Sequence, residues 1–474
     1  MCTSTIQEHQ GWSREVVNMK RGSDLLETAK FAVDLCLKAG ATQAEAGVLS
    51  YKSYLTRFAN SEIHQNVGEE NSALRLRFVL GKRIAVAYSN SLKEEAIKNL
   101  VERARRIAEL QAEDPDFVSL PEPEPIEPIP GIFIESTAEC DPVERAEIVK
   151  SLIERAHQFK KVEAVAGNCL TTSIDAAVAN SLGVEVTASA TVARLRSNVI
   201  AADGSSKGYG FAESVSRDVR ELDPEKEGEE AARRAVDSLH PKKIEPGEYE
   251  VIFLPYAVAT AMLYLSFYGF TAQSYQDGIS FICDYMGKKA FAESVNIWDD
   301  GRDPSGMAFP FDSEGVPKKK VILAKDGVPT GLLYDSYYAH KEGKKSTGHS
   351  SWRPFMFMGA GPSHLFMGTG DAKVEEMIQE TKRGLLVTRW HYVRVVHPRK
   401  AVVTGMTRDG TWLVENGEVK GPVMNMRFTD SMISLLANVD LVGKEAKTLP
   451  FGREPSSIRV PALRSKKFRF TGVT

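Results

Sequence analysis

From Val251 to Phe270, twenty consecutive residues carry no formal charge. A run of that length can span a bilayer, and otherwise the rest of the chain has to cover it. Val251-Ile252-Phe253-Leu254 is β-branched and aromatic, and Pro255 stands where a first helical turn tolerates it. The run therefore divides into a short strand and a helix from about Tyr256 to Tyr268 that is apolar almost all round. Glu248 and Glu250 precede it, and no Lys/Arg cluster anchors either flank. The expectation is a buried core helix and no membrane span.

A buried helix of this kind needs a large body around it. The 474 residues exceed one ordinary core, which sets two or three domains as the prior. Sixty basic residues against 63 acidic ones leave a net charge of −3, and no basic run is interleaved with aromatics. Direct nucleic-acid binding is therefore not expected. Five scattered cysteines (Cys2, Cys36, Cys140, Cys169 and Cys283) form no C-x-x-C pair, so reduced thiols are the plain reading. The first 22 residues lack the apolar core of a signal peptide, and a cytoplasmic location is expected.

The fold class read from the chain is α+β. The expected division is a tail over 1–22, an α+β region over 23–240, and a β-rich domain over 241–474. Within the α+β region two units share the order helix, strands, helix. In the first, Asp24 and Glu27 resemble a capping box for a helix that Gly40 stops. Leu74 to Leu80 alternates apolar and basic residues and turns at Gly81-Lys82 into Arg83 to Tyr88, a hairpin pattern. Ser91 and Glu94 predict a capped helix to about Gln111. A Pro-rich, acidic connector over 119–131 follows and reads as extended and stiff. In the second unit Asp141-Pro142 opens a helix. The strand-like runs are 162–170, 173–179, 184–192 and 197–202, and a polar helix over 224–239 closes the unit. Beyond Glu245 the chain reads as strand-rich, with hairpins over 318–334 and 410–426, a strand over 385–396, and helices at 256–268 and 371–382.

Few residues offer chemistry. No His-Glu pair lies on a helix, so the usual source of a zinc ligand and a general base is missing. His391 and His397 share a strand face about 20 Å apart at ~3.3 Å per residue, too far to share one metal unless the strand bends. A rearranged metal site of His349, His391 and His397 is the metal alternative. Ser346-Thr347-Gly348-His349 sets hydroxyls beside an imidazole, and a backbone-organising turn is the plainer reading. Asp312-Ser313-Glu314-Gly315 suits a cation, a peptide amine or a turn. Gly-x-Ser-x-Gly and P-loop patterns are absent.

Taken in order, these segments resemble the TldD/PmbA family. The resemblance rests on Phe311-Asp312-Ser313-Glu314-Gly315-Val316-Pro317, Gly331-Leu332-Leu333, Ser346-Thr347-Gly348-His349 and Gly384-Leu385-Leu386-Val387-Thr388. Arg75-Leu76-Arg77 and Val178-Ala179-Asn180-Ser181-Leu182-Gly183-Val184 extend it toward the N-terminus. It implies peptide substrates and dimers that enclose a cavity. In the metal-bearing branch, a His-Glu-x-x-x-His helix and a C-terminal cysteine hold zinc. The helix at the corresponding place here, Tyr256 to Tyr268, has no histidine and no acid, and no cysteine follows Cys283. The resemblance is thus to the PmbA-like (TldE) branch, which pairs with a zinc-bearing member. Asp312, Glu314, Thr347 and His349 are the residues expected on a peptide cavity. The expected role is a metal-free subunit, as a homodimer or as a heterodimer with a zinc-bearing relative. The alternatives are a metallopeptidase using the rearranged histidine site, and a homodimeric peptide-binding protein without enzymatic activity.

Overall fold

The computed structural model describes residues 22–352, 359–451 and 455–473. The tail expected over 1–22 lies, apart from Gly22, outside the described residues.

The two N-terminal units build one sheet. The first runs α1 (Gly22–Lys38), β1 (Gln43–Ala59), β2 (Glu62–Leu80), β3 (Arg83–Ser89) and α2 (Glu94–Leu110). After the short α3 (Glu135–Ala138), the second runs α4 (Pro142–His157), β4 (Val162–Asn180), β5 (Glu185–Asp203), β6 (Ser206–Ser216) and α5 (Pro224–Asp237). The strand order β3-β2-β1-β4-β5-β6 sets the halves back to back, with β1 and β4 antiparallel at the join. The expected repeat is real as architecture. Leu74, Leu76 and Phe78 of β2 face α1 and α2, and Ala193, Leu195 and Val199 of β5 face α4 and α5. The period of two turns the intervening residues toward the C-terminal domain.

Several expectations need correction. The runs 162–170 and 173–179 are one strand, as are 184–192 and 197–202, because the pairing of β4 with β5 continues unbroken through Thr171 and Thr172. β2 starts twelve residues before Leu74, at Glu62, where a two-residue turn at Asn60 (φ 51°) and Ser61 (φ 65°) returns it along β1. Asp24 lies inside α1 rather than capping it. Lys93, not Ser91, precedes α2, and its side chain makes no capping bond. Asp141 caps α4 as expected, in a full capping box with Glu144. The proline-rich connector is tied down on both sides. Asn180 donates to the Pro121 carbonyl (2.7 Å), while Glu124 pairs with Lys319 and Glu127 with Arg302, each at 3.0 Å.

In the C-terminal half β7 (Gly247–Phe253) leads into α6 (Pro255–Gly269), as the charge-free run predicts. The later strands are β8 (Ile297–Asp299), β9 (Val321–Lys325), β10 (Val328–Pro329), β11 (His364–Met367), β12 (Arg383–His397), β13 (Val402–Glu415), β14 (Glu418–Pro422), β15 (Met426–Ser431), β16 (Val439–Pro450) and β17 (Ser457–Val473). β7 pairs with both β12 and β17, which closes β7, β12, β13, β15 and β17 into a ring. Phe253, Phe428 and Phe468 surround Trp390 at centroid distances of 5.4, 4.6 and 5.6 Å. α6 packs on this barrel through Ala257, Val258, Ala261, Met262 and Leu265. Among the described residues no helix is long and apolar enough to cross a membrane.

Candidate functional site

Two seams join the six-stranded sheet to the C-terminal domain, one on each half-sheet. The first centres on Arg75 and Arg77, the basic residues of the β2 alternation. Both donate to Glu45 Oε1, at 2.6 and 2.7 Å, and Arg77 also donates to Glu314 Oε1 at 2.8 Å. Arg75 adds bonds to the Ser313 hydroxyl (3.1 Å) and carbonyl (2.8 Å). Glu314 further accepts from Ser336 N and Oγ, and Asp312 accepts from the backbone N–H groups of Glu314, Val316 and Ser350. Burial, and then the charge of Glu314, pushes Asp312 above the ordinary carboxylate range. Burial works the same way on Glu314, but Arg77 outweighs it and holds that carboxyl low. Asp312 and Glu314 are fully buried, with their oxygens engaged. They weld the domains together here and do not face an open cavity.

Thr347 and His349 stand nearby in a second closed network. Thr347 Oγ1 accepts from Tyr334 N (2.8 Å), donates to Tyr334 O (3.0 Å), and lies 2.9 Å from His349 Nδ1. His349 Nε2 reaches Asp299 Oδ1 at 3.1 Å, and both of those side chains are buried. The line of hydroxyl, imidazole and carboxylate has the order of a nucleophilic relay. The hydroxyl proton, however, is committed to a backbone carbonyl, so the group anchors the turn. Gly348 (φ +73°) supplies the left-handed residue that this turn needs.

The other two histidines lie elsewhere. Bulges between His391 and Arg394 and between Val395 and His397 break the regular strand on which they were expected to share a face. Burial, with Arg408 and Arg389 nearby, lowers the basicity of His391. His397 accepts a backbone bond from Lys400 N (3.3 Å). Among the described residues no group of three or more His, Cys, Asp or Glu side chains is placed to hold a metal ion.

The second seam differs. β5 carries Arg194-Leu195-Arg196, the same alternation on the equivalent strand, and its arginines border a cavity of about 220 Å³. One face of α6, with Tyr256, Ala259, Thr260 and Leu263, forms another wall, so the helix is not covered on every side. Arg389 of β12 forms a third. Arg194 Nε donates to Glu213 Oε1 at 2.5 Å, and Arg389 pairs with Asp409. Among the described residues Arg196 has no carboxylate partner, and its Nε is buried without an acceptor. The Arg196 and Arg389 guanidinium groups lie 5.0 and 4.1 Å from the Phe211 ring centroid, which holds both in place. These groups fit no zinc ion. The Tyr256 hydroxyl already accepts from Glu213 N (3.0 Å) and Lys447 Nζ (2.7 Å), and Thr260 returns its proton to Tyr256 O (3.0 Å). The cationic wall would repel a metal ion. A larger groove of about 510 Å³ along Glu245–Glu250 sets three acids against Arg383, Lys466 and Lys467, and so has no charge left over.

Arg194, Arg196 and Arg389 were not singled out from the sequence. The available signal was the recurrence of Arg-Leu-Arg at equivalent places in two units of like order.

Comparison with known proteins agrees with this architecture along most of the chain. Profiles of PmbA/TldA metallopeptidase domain 1, central domain and C-terminal domain match residues 44–108, 135–239 and 246–472. Metalloprotease PmbA of Escherichia coli O157:H7 is 28% identical over 404 residues, 84% of this chain and 86% of that protein. A metalloprotease PmbA homolog of Haemophilus influenzae is 26% identical over 466 residues, 95% of this chain and 96% of its own. The crystal structure of TldE from Thermococcus kodakarensis superposes with a TM-score of 0.85 at 23% identity, covering 94% of this chain and all of that one.

Proposed function

The chain belongs to the TldD/PmbA family of metallopeptidase-related proteins, and from that membership we propose that it is a subunit that binds peptide without itself holding zinc. One observation carries this reading. The α6 face that borders the cavity offers a phenol, a methyl, a hydroxyl and an isobutyl group among arginines, and neither a metal-ligand set nor a general base. Peptides are the substrate class because the relatives are named metalloproteases. Cleavage would then belong to a zinc-bearing family member with which this chain pairs. The weld of Arg75, Arg77, Glu45, Asp312 and Glu314 would hold the two domains in register on either side of that cavity, and Thr347 and His349 would anchor the turn at the weld.

The test is elemental analysis of the purified chain, paired with peptide cleavage before and after chelation. The expected result is zinc far below one ion per chain and no chelator-sensitive cleavage by the chain alone. Cleavage should emerge on mixing with a zinc-bearing relative. Stoichiometric zinc with chelator-sensitive cleavage by this chain alone would overturn the proposal, and would return attention to His349, His391 and His397.

A further inference from the structure

Among the described residues, the cavity between β5, α6 and β12 has an unbalanced charge. Arg194, Arg196 and Arg389 line it, and the neighbouring carboxylates, Glu213 and Asp409, are taken by Arg194 and Arg389. Arg196 keeps a buried N–H with no acceptor. The Arg196 guanidinium borders the cavity without a carboxylate of its own among the described residues, and an arriving anion would supply one. Because Phe211 fixes two of the guanidinium groups, an anion would meet them already oriented. Part of the remaining wall is apolar, with Leu263, Leu449 and Ile458 beside Phe211. At about 220 Å³ the space is smaller than the ~300 Å³ of the smallest usual ligand pockets, which suits one residue and not a whole peptide.

Resting on the peptide-binding reading above, we propose that this cavity is a subsite for the C-terminal carboxylate of a peptide whose last side chain is apolar, with Arg196 as the group that receives the carboxylate. A guanidinium binds a carboxylate through two parallel N–H donors, which an ammonium cannot reproduce. The anion in place of a metal also gives the α6 cavity a use that does not require ligands on the helix.

The experiment is isothermal titration of the full chain with acetyl-Ala-Ala-Leu as the free acid and as the C-terminal amide. The free acid should bind the unaltered protein at least about 10-fold more tightly than the amide. Arg196→Met should abolish that preference while leaving amide binding in place, and Arg196→Lys should restore only part of it. Unchanged circular dichroism and melting temperature establish that each variant is folded. Equal binding of acid and amide, or a preference that survives Arg196→Met, would overturn the subsite and leave the peptide-binding reading standing. Failure of both peptides to bind would count against both. Inorganic phosphate binding as tightly as the free acid would replace the peptide terminus with a general anion site.

Discussion

The two Arg-Leu-Arg strands are one local pattern put to opposite ends. On β2, Arg75 and Arg77 meet Glu45, Glu314 and Ser313 and leave nothing unpaired. On β5, Arg194 finds Glu213, but Arg196 finds no carboxylate among the described residues and borders a cavity. In each case alternation puts the leucine among the helices and the arginines against the C-terminal domain. What differs is the supply of acids from the facing domain. The first seam receives the Phe311–Pro317 segment with its buried Glu314, whereas the second receives α6, which has no acid. A closed charge network makes a joint, and the same residues one acid short make an anion site.

Substitutions can break that contrast. Arg77→Met would leave Glu45 and Glu314 buried with their main cation gone, at an expected cost of about 3–5 kcal/mol in denaturant unfolding. If it costs no more than Arg196→Met, the joint is no joint. Gly348→Ala places a Cβ 2.3 Å from the Pro317 carbonyl oxygen at a positive φ. The expected loss is about 2 kcal/mol or more, read from the same unfolding curves, with peptide-acid preference at the second seam retained.

The second seam has its own pH signature. Burial pushes Glu227 of α5 up to about 7, against the pull of Lys447, and one of its oxygens has no partner. The folded state therefore holds this proton more tightly than the unfolded chain does. Stability contributed by the group is full below the ordinary carboxylate range and falls as pH rises from about 4.5 to 7. Glu227→Gln should flatten that fall in melting temperature across the same window, and an unchanged slope would remove Glu227 as its source. The smallest effect is expected for Arg196→Met, whose stability should stay within about 1 kcal/mol of the unaltered protein or rise, since a half-buried guanidinium with an unpaired Nε is lost. A large destabilisation would mean that Arg196 is structural, as Arg77 is.

Legibility followed the range of the interactions. The β2–β3 hairpin, the Asp141 cap and the break at Pro255 were readable because a turn, a side chain or a ring enforces each within a few residues. The polar half of β2 was not readable, since Glu62 to Ala73 shows no alternation and is held by its pairing with β1. Asp312, Glu314, Thr347 and His349 stood out as chemistry-bearing residues, but their burial depends on partners as distant in sequence as Arg77 and Asp299. Arg196 was invisible for the complementary reason, because an unmatched arginine looks like a matched one until the facing surface is known.

Composition, periodicity and the order of motifs were enough to set the α+β class, the repeated N-terminal units, the family and the apolar character of α6. Each depends on residues close in sequence or on their order along it. The barrel closure through β7, the weld at Arg77 and the open charge at Arg196 came only with the tertiary structure. They depend on which surfaces meet, and the electrostatic state of a side chain is settled by what the other domain presents to it.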